Sequence, residues 1–140
     1  MTQDRQMAFQ FPVRIYWEDT DAGGIVFYAN YLKFFERART EWLRSLGLGQ
    51  QQLRDTLGGM FVVAETSMRY LRPARLDDEL LVSAQVHAMG RSHMTLQQQA
   101  VLLLPNAPPA PVCEGTVRIV WVDAASFRPA RIPDSIFDLF

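Results

Sequence analysis

One helical pattern, followed only by alternating patterns, limits what this chain can fold into. Between residues 30 and 46, apolar side chains recur every three or four positions, which gives a helix one wide apolar stripe. The stripe consists of Tyr31, Leu32, Phe34, Phe35, Ala38, Trp42, Leu43 and Leu46. Asn30 is the expected N-cap of this helix, and Gly47 and Gly49 are expected to end it. A stripe this wide and aromatic predicts a helix that lies in the core.

The rest of the chain carries the period of two that is typical of strands. The first such segment covers residues 9–18, and its apolar face is expected to hold Phe11, Val13, Ile15 and Trp17. Four more follow the helix, at residues 61–70, 80–88, 93–102 and 112–121. They are separated by residues 72–78, by a tight turn at residues 90–92 and by a proline-rich loop at residues 105–111. Because short connections join antiparallel neighbours, the sequence predicts an α+β fold with an antiparallel sheet of about five strands.

Length and charge exclude several classes of protein. The 140 residues suit one domain, residues 1–140, and the net charge of −1 leaves no basic surface for a nucleic acid. The one cysteine, Cys113, cannot form an intramolecular disulfide, which is typical of a reducing compartment. Residues 1–6 are polar, and no apolar run is long enough for a membrane span. We therefore expect a cytoplasmic protein.

The predicted sheet is larger than one helix can cover. Five long strands expose more apolar surface than the helix can bury, and the sheet edges carry unpaired backbone groups. A second copy of the same chain can cover both. We therefore expect at least a homodimer.

The densest polar cluster lies between the first strand and the helix. Glu18, Asp19 and Asp21 stand within four positions, and Gly23 and Gly24 follow them. The next helix directs its free N–H groups and partial positive charge toward the same region. A carboxylate that faces amide donors suits attack on a carbonyl carbon, with the amides holding the oxyanion. A simple turn or cap role for Asp19 or Asp21 fits the same residue types equally well.

A calcium site in this cluster is not expected. The order Asp19-x-Asp21-x-Gly23-Gly24 is similar to the opening of an EF-hand loop. However, the twelfth position holds Asn30 where a bidentate glutamate belongs, and the preceding segment is patterned as a strand.

The remaining polar candidates are weaker. His87 and His93 fall on different predicted strands, with only Cys113 as a further soft ligand, so no zinc site is expected. Arg91, beside Ser92 in the tight turn, can bind a phosphate or can simply be solvated. The sequence thus predicts no metal.

Residues 16–31, YWEDTDAGGIVFYANY, continued by FERARTE at residues 35–41, resemble the signature of hot-dog-fold acyl-CoA thioesterases. Within that family they are most similar to the Tol-Pal-associated YbgC type, which is related to hydroxybenzoyl-CoA thioesterase. The similarity continues through residues 61–63 and 73–78, and so covers most of the chain. The resemblance implies a sheet wrapped around one long central helix. It also implies dimers that join their sheets edge to edge and often pair into tetramers.

The resemblance also implies roles for particular residues. Asp21 matches the catalytic aspartate, and Tyr28 falls where the helix N-terminus offers a backbone N–H to the thioester carbonyl. Gly24 and Ile25 belong to the same substrate-binding loop. Some YbgC-type members carry a histidine where Tyr28 stands, whereas this chain is like the hydroxybenzoyl enzyme there.

The basic turn that binds the nucleotide phosphates in the family falls at Arg91 and Ser92. Only one positive charge remains in this turn, because Met89 and Gly90 occupy the preceding positions. Phosphate binding is therefore expected to be weak or to draw on arginines of another subunit.

The implied function is hydrolysis of an acyl-CoA to a free acid and coenzyme A, with no cofactor, because a thiolate is a good leaving group. One alternative is a non-hydrolytic scaffold of the cell envelope that binds acyl-CoA or acyl carrier protein. Another is hydration of an enoyl thioester, which is disfavoured because neither His87 nor His93 accompanies the Asp21 loop. The acyl chain length and the choice between aromatic and aliphatic substrates stay open at this point.

Overall fold

The computed structural model describes residues 8–140, so the polar segment at residues 1–6 lies outside the described part. Five strands form one antiparallel sheet in the order β1-β3-β4-β5-β2. They are β1 (Phe9–Arg14), β2 (Gly59–Tyr70), β3 (Glu79–Met89), β4 (His93–Leu104) and β5 (Ala107–Asp123). The helices are α1 (Asn30–Ser45), α2 (Gln50–Leu57) and α3 (Asp134–Phe137), and a short 3-10 helix covers Trp17–Asp19. The predicted α+β class is confirmed.

The predicted central helix is also confirmed, with one change at its start. Helix α1 packs mainly against β1 and β3 and buries Tyr31, Phe34, Phe35, Ala38, Trp42 and Leu43. Asn30 is the first helical residue rather than the N-cap, which is Ala29. The Asn30 amide instead donates to the backbone carbonyl of Asp19 at 2.8 Å. Gly47 follows the helix at a φ of 79°, a left-handed conformation that favours glycine.

The first strand is shorter than its alternating pattern predicted. Beyond Arg14 the chain bends into the 3-10 helix, where the Asp19 carboxylate accepts a hydrogen bond from the Tyr16 N–H at 2.8 Å. This local bond replaces strand pairing. As a result Trp17 is 80% exposed, and its expected place on the apolar face is wrong.

The proline-rich loop predicted at residues 105–111 is also wrong, because β5 already begins at Ala107 and pairs with Leu104. Prolines fit there because β2 pairs with β5 only as far as Cys113. The residues of β5 before Cys113 donate no backbone hydrogen bond to β2, so proline, which lacks an N–H, is tolerated there.

Helix α2 was not predicted, because it buries only Leu53 and so carries almost no apolar period. Gln50 at its start attaches it to β2. Its side chain donates to the Phe61 carbonyl and accepts from the Phe61 N–H, both at 3.1 Å. In residues 8–140, no helix is both long and apolar enough to cross a membrane.

A fully buried polar side chain ties α1 to the sheet. Gln98 on β4 donates to the carbonyl oxygens of Phe35 at 3.1 Å and Ser83 at 3.0 Å. Its amide oxygen accepts a hydrogen bond from Arg39 at 3.0 Å. One amide therefore joins α1, β3 and β4 through three hydrogen bonds.

We predict that Gln98→Leu lowers the free energy of unfolding by about 3 kcal/mol, because it leaves buried polar partners unsatisfied. The exposed neighbour Gln99 points to the other face, so Gln99→Leu should change stability by less than about 0.5 kcal/mol. Urea denaturation of the two variants and the parent measures both values. Equal effects of the two substitutions would contradict the role given to Gln98.

Candidate active site

The loop before α1 is closed by its own backbone. The Asp21 N–H donates to the Ile25 carbonyl at 2.9 Å, and the Gly24 N–H donates back to the Asp21 carbonyl at 3.0 Å. Thr20 and Val26 form an antiparallel bridge at its base. Gly24 has a φ of 80°, which glycine adopts without the steric cost of a Cβ.

The same loop is fixed to the sheet side and to the helix side. Ile25 bridges to Arg75, and the Val26 N–H donates to the Ala74 carbonyl at 2.9 Å. On the helix side, the carbonyl of Asp19 accepts from the Phe27 N–H at 3.0 Å. The acidic loop therefore has a defined position relative to the N-terminus of α1.

The carboxylate of Asp21 has one partner in the described structure. Its Oδ1 accepts a hydrogen bond from the Gly23 N–H at 2.8 Å. This bond is the turn role that the sequence left open for Asp21. The other oxygen, Oδ2, accepts no hydrogen bond from residues 8–140. Asp21 is exposed in the single chain. The turn thus holds one carboxylate oxygen and leaves the second accessible.

The N-terminus of α1 offers free donors beside this loop. The N–H groups of Tyr28 and Ala29 donate to no acceptor within residues 8–140, whereas the Asn30 N–H already donates to the Phe27 carbonyl at 2.8 Å. Free N–H groups at a helix start carry partial positive charge and bind oxyanions well. Hydrogen bonds therefore join Asp21, Gly24 and Ile25 in one loop, and this loop leads directly to Tyr28 at the start of the helix.

Aromatic rings place the end of β2 next to this helix start. The Tyr28 ring meets Tyr70 edge-on, with ring centroids 5.8 Å apart, and Tyr70 lies at the same distance from the Tyr31 ring. Tyr31 is buried beneath them. The boundary between α1 and β2, called the groove below, therefore begins at these ring contacts.

Two buried titratable groups, the phenol of Tyr31 and the thiol of Cys113, lie beneath this groove. Burial raises the pKa of Tyr31 to about 12, and a weaker opposing effect comes from a hydrogen bond with the Ala74 backbone. Burial also raises the pKa of Cys113, the strand partner of Tyr70, to about 12, and the charge of Glu114 adds to the shift. Both groups are therefore neutral at physiological pH.

Arg91 and Ser92 lie in the β3–β4 turn, where the C-terminal segment is attached. The Arg91 carbonyl accepts from the Ile132 N–H, and the Ser92 carbonyl accepts from the Trp121 N–H, both at 2.8 Å. Arg91, Arg131 and Phe137 line a cleft of about 260 Å³. Arg131 was not singled out from the sequence, because only the folded chain brings it beside Arg91.

The structure separates this turn from Asp21. Asp21 follows the end of β1, and β1 ends beside the first residue of β3, since Arg14 pairs with Glu79. Arg91 follows the opposite end of β3, which has 11 residues and so spans roughly 35 Å. Arg91 and Ser92 therefore lie far from Asp21 within one chain.

The sequence pattern of Glu36, Arg37, Arg39 and Glu41 predicts a charged helix face, with Arg37 paired to Glu41 at the i, i+4 spacing. The pairing is wrong, because Glu41 forms its ion pair with Arg44. Arg39 is half-buried and bonds to Gln98. Sequence reasoning could not find this contact, because the two residues lie 59 positions apart.

A sheet of this order on one long helix, with an acidic loop at the helix N-terminus, defines a hot-dog-fold protein of the thioesterase type. Residues 23–102 match the family model of the thioesterase superfamily. The chain therefore belongs to the thioesterase superfamily, as its signature predicted.

Curated relatives match nearly the full length of the chain. The chain is 40% identical to "Acyl-CoA thioesterase YbgC" of Haemophilus influenzae, over 91% of this chain and 90% of the relative. It is 41% identical to "Acyl-CoA thioester hydrolase YbgC" of Shigella flexneri, over 91% of this chain and 92% of the relative.

Solved structures agree on the fold. A probable thioesterase from Bartonella henselae has a TM-score of 0.82 at 28% identity, covering 91% of this chain and 100% of that one. A mutant 4-hydroxybenzoyl-CoA thioesterase, in complex with 4-hydroxybenzoyl-CoA, has a TM-score of 0.88 at 19% identity. That match covers 94% of this chain and 97% of the other, and it supports the hot-dog fold alone.

We predict that alkaline pH destabilises the protein in two steps. The folded state raises the pKa of Cys113 from 9.0 and that of Tyr31 from 10.0, each to about 12. This stability is fully present below pH 9 and is lost as pH rises toward 12, because the unfolded chain releases its protons first. Between pH 9 and 10 the free energy of unfolding should fall, with a limiting slope of about 1.4 kcal/mol per pH unit. Urea denaturation from pH 8 to 11 measures this fall.

The variant Cys113→Val removes the thiol and should move the onset of the fall to about pH 10, where Tyr31 begins to titrate. An unchanged onset in this variant would assign the effect to other groups.

Proposed function

We propose that this protein hydrolyses acyl-CoA thioesters to a free acid and coenzyme A. The observation that carries the proposal is the position of Asp21, in a rigid loop beside the free N–H groups of Tyr28 and Ala29. A carboxylate and oxyanion donors are the two groups that thioester hydrolysis requires. The names of the relatives from Haemophilus influenzae and Shigella flexneri support acyl-CoA as the substrate class.

In this mechanism the Tyr28 N–H donates to the thioester carbonyl oxygen and stabilises the negative charge that develops there. Removing one such donor typically costs about 3–4 kcal/mol of transition-state stabilisation. Asp21 acts through its free Oδ2 in one of two ways. It attacks the carbonyl carbon, expels the CoA thiolate and forms a mixed anhydride that water then cleaves, or it takes a proton from a water that attacks directly. Both routes give the acid and CoA without a metal or redox cofactor.

A second copy of the chain completes the site in this proposal. In one chain Asp21 is exposed, and residues 63–67 of β2 form an exposed wall on a strand that, within residues 8–140, pairs with β5 alone. An exposed strand edge of this length is a ready surface for pairing with another strand. We therefore infer a homodimer or a homotetramer, whose partner supplies the opposite wall of the acyl site.

The same arrangement assigns Arg91 and Ser92 to the phosphates of CoA, but from a different subunit than Asp21. Their distance from Asp21 in one chain supports this assignment. Arg131 lines the cleft beside Arg91 and brings a second guanidinium to it. A salt bridge of 3.2 Å to Asp134 orients this guanidinium and partly offsets its charge.

The other expectations from the sequence stay proposals. We infer one thioesterase domain over residues 1–140 and a cytoplasmic location. We also infer that acyl carrier protein can replace CoA as the carrier of the acyl group. The link to the Tol-Pal system is a prediction of the YbgC resemblance. No observation favours the non-hydrolytic scaffold over the hydrolase.

The first test is Asp21→Asn. The amide oxygen can still accept from the Gly23 N–H, so the loop should fold while the base or nucleophile is lost. We expect kcat for acyl-CoA to fall at least 100-fold with little change in thermal stability. Thiol release from a panel of acyl-CoAs measures it.

Glu18→Gln is the matched control, because Glu18 is an exposed carboxylate three positions away that bonds to nothing in residues 8–140. Its activity should equal that of the parent. Parent-like turnover in Asp21→Asn would refute the mechanism.

The second test concerns Arg91. We expect Arg91→Ala to raise KM for acyl-CoA about tenfold and to leave KM unchanged for an N-acetylcysteamine thioester, which has no phosphates. The exposed Arg54 on α2 provides a control, since Arg54→Ala should alter neither value.

Mixed oligomers of Asp21→Asn and Arg91→Ala chains distinguish the two subunit arrangements. If Asp21 and Arg91 act from different subunits, one site of each mixed dimer is intact and low-KM hydrolysis returns. Failure of the mixture to recover a low KM would place both residues in one subunit's site.

A further inference from the structure

A cleft lies between α1 and β2, farther along the groove that starts at the candidate active site. Helix α1 packs mainly against β1 and β3, whereas α2 packs against β2, which leaves a gap between α1 and β2. The gap is a cleft of about 150 Å³. Its walls include Arg39, Thr40 and Leu43 from α1 and Phe61 from β2.

Arg39 brings unused hydrogen-bond donors to this cleft. Its guanidinium carries five N–H donors. Within residues 8–140 the guanidinium makes one hydrogen bond, to Gln98. In the same described part, no carboxylate lies within 4.0 Å of it. No buried side-chain nitrogen or oxygen there lacks a partner, so the unpaired nitrogens of Arg39 are not fully buried, and Arg39 lines the cleft. Burial lowers the pKa of Arg39, and the charge of Glu36 opposes that shift.

The cleft pairs this donor with an acceptor between walls that are in part apolar. Glu36, one turn before Thr40, also lines it and accepts from the Thr40 hydroxyl at 2.6 Å. Leu43, Val62 and Ile119 supply apolar walls. A hydroxyl group suits this pair, since it accepts from Arg39 and donates to Glu36. A carboxylate fits less well, because Glu36 repels it.

The position of the cleft fits the far end of an acyl chain. Tyr70, at the end of β2, meets the start of α1, and Phe61, near the beginning of β2, lies at the cleft, so β2 runs along the groove. Arg39 is nine residues beyond Asn30, which is about 13 Å along the helix. An extended chain of bonds about 1.5 Å long advances roughly 1.25 Å per bond, so about eleven bonds separate the two ends.

We propose that Arg39 and Glu36 are specificity-determining residues that bind a terminal hydroxyl group on a medium-chain acyl-CoA. The assignment rests on the proposed hydrolysis at Asp21, because it requires the thioester to sit at the start of α1. The acyl chain then follows the groove beside β2, and its hydroxyl enters the cleft between Arg39 and Glu36. The preferred substrate is an ω-hydroxyacyl thioester of about ten carbons.

The experiment compares kcat/KM for ω-hydroxydecanoyl-CoA with that for decanoyl-CoA and ω-carboxydecanoyl-CoA. We expect the parent protein to prefer the hydroxylated ester roughly tenfold, the usual effect of one charge-assisted hydrogen bond in a partly buried site. Arg39→Met should reduce this ratio to about one. Arg37→Met, an exposed arginine on the same helix, should keep the full preference.

A second variant keeps the assignment testable if loss of the Gln98 contact unfolds Arg39→Met. Glu36→Ala removes the acceptor of the pair from an exposed position on α1, away from the β2 edge. We expect it to lower the preference for ω-hydroxydecanoyl-CoA over decanoyl-CoA at least threefold, because the hydroxyl loses its acceptor. Thermal unfolding of each variant verifies that it is folded.

Four results would overturn the assignment. They are no preference for the hydroxylated ester in the parent, an unchanged preference in folded Arg39→Met, an unchanged preference in folded Glu36→Ala, and a higher rate with the ω-carboxy ester than with the ω-hydroxy ester. Propionyl-CoA separates this question from the proposed function. If the parent cleaves propionyl-CoA but does not prefer the hydroxylated ester, only the roles of Arg39 and Glu36 are refuted. If the parent cleaves no CoA ester, the proposed hydrolase activity itself is refuted.

Discussion

The buried amide of Gln98 sets the height and rotation of α1 on the sheet. Its three hydrogen bonds reach Phe35 and Arg39 on the helix and Ser83 on β3. Apolar packing alone is not directional and tolerates small rotations of a helix, whereas a buried amide is satisfied in few geometries. The start of α1 and the Arg39 side chain therefore both depend on this one contact, although they lie at different points of the groove.

The acidic loop is the second fixed point, and it is held by backbone rather than by packing. Its carbonyls and N–H groups bond across the loop, to Ala74 on the sheet side and to Asn30 on the helix side. A rigid frame of this kind holds a carboxylate close to free N–H donors without a reorganisation cost during reaction. Asp21 can stay exposed in a single chain because its position, and not its burial, is what the loop determines.

The sequence predicted those parts of the fold that depend on local pattern. The α1 stripe and the alternation in β3 and β4 have strong periods, and the residues of the acidic loop are neighbours along the chain. The errors have two different causes. A local side-chain bond of Asp19 takes Trp17 out of the sheet, whereas prolines enter β5 because its long-range pairing with β2 ends early. Arg39 contacts Gln98, and Arg131 lines a cleft with Arg91. Both partners are distant in sequence, so periodicity cannot reveal these arrangements.

The length of β3 has a thermodynamic consequence for the proposed assembly. Asp21 lies near one end of this strand and Arg91 beyond the other, so in the proposed site a ligand that touches both bridges two chains. Such a ligand would bind the associated state and not the free protomer, so mass action would make each CoA ester a cross-linker of the subunits. The affinity for the ligand and the affinity between subunits are then thermodynamically coupled. Dilution of the protein separates the subunits and therefore also weakens substrate binding.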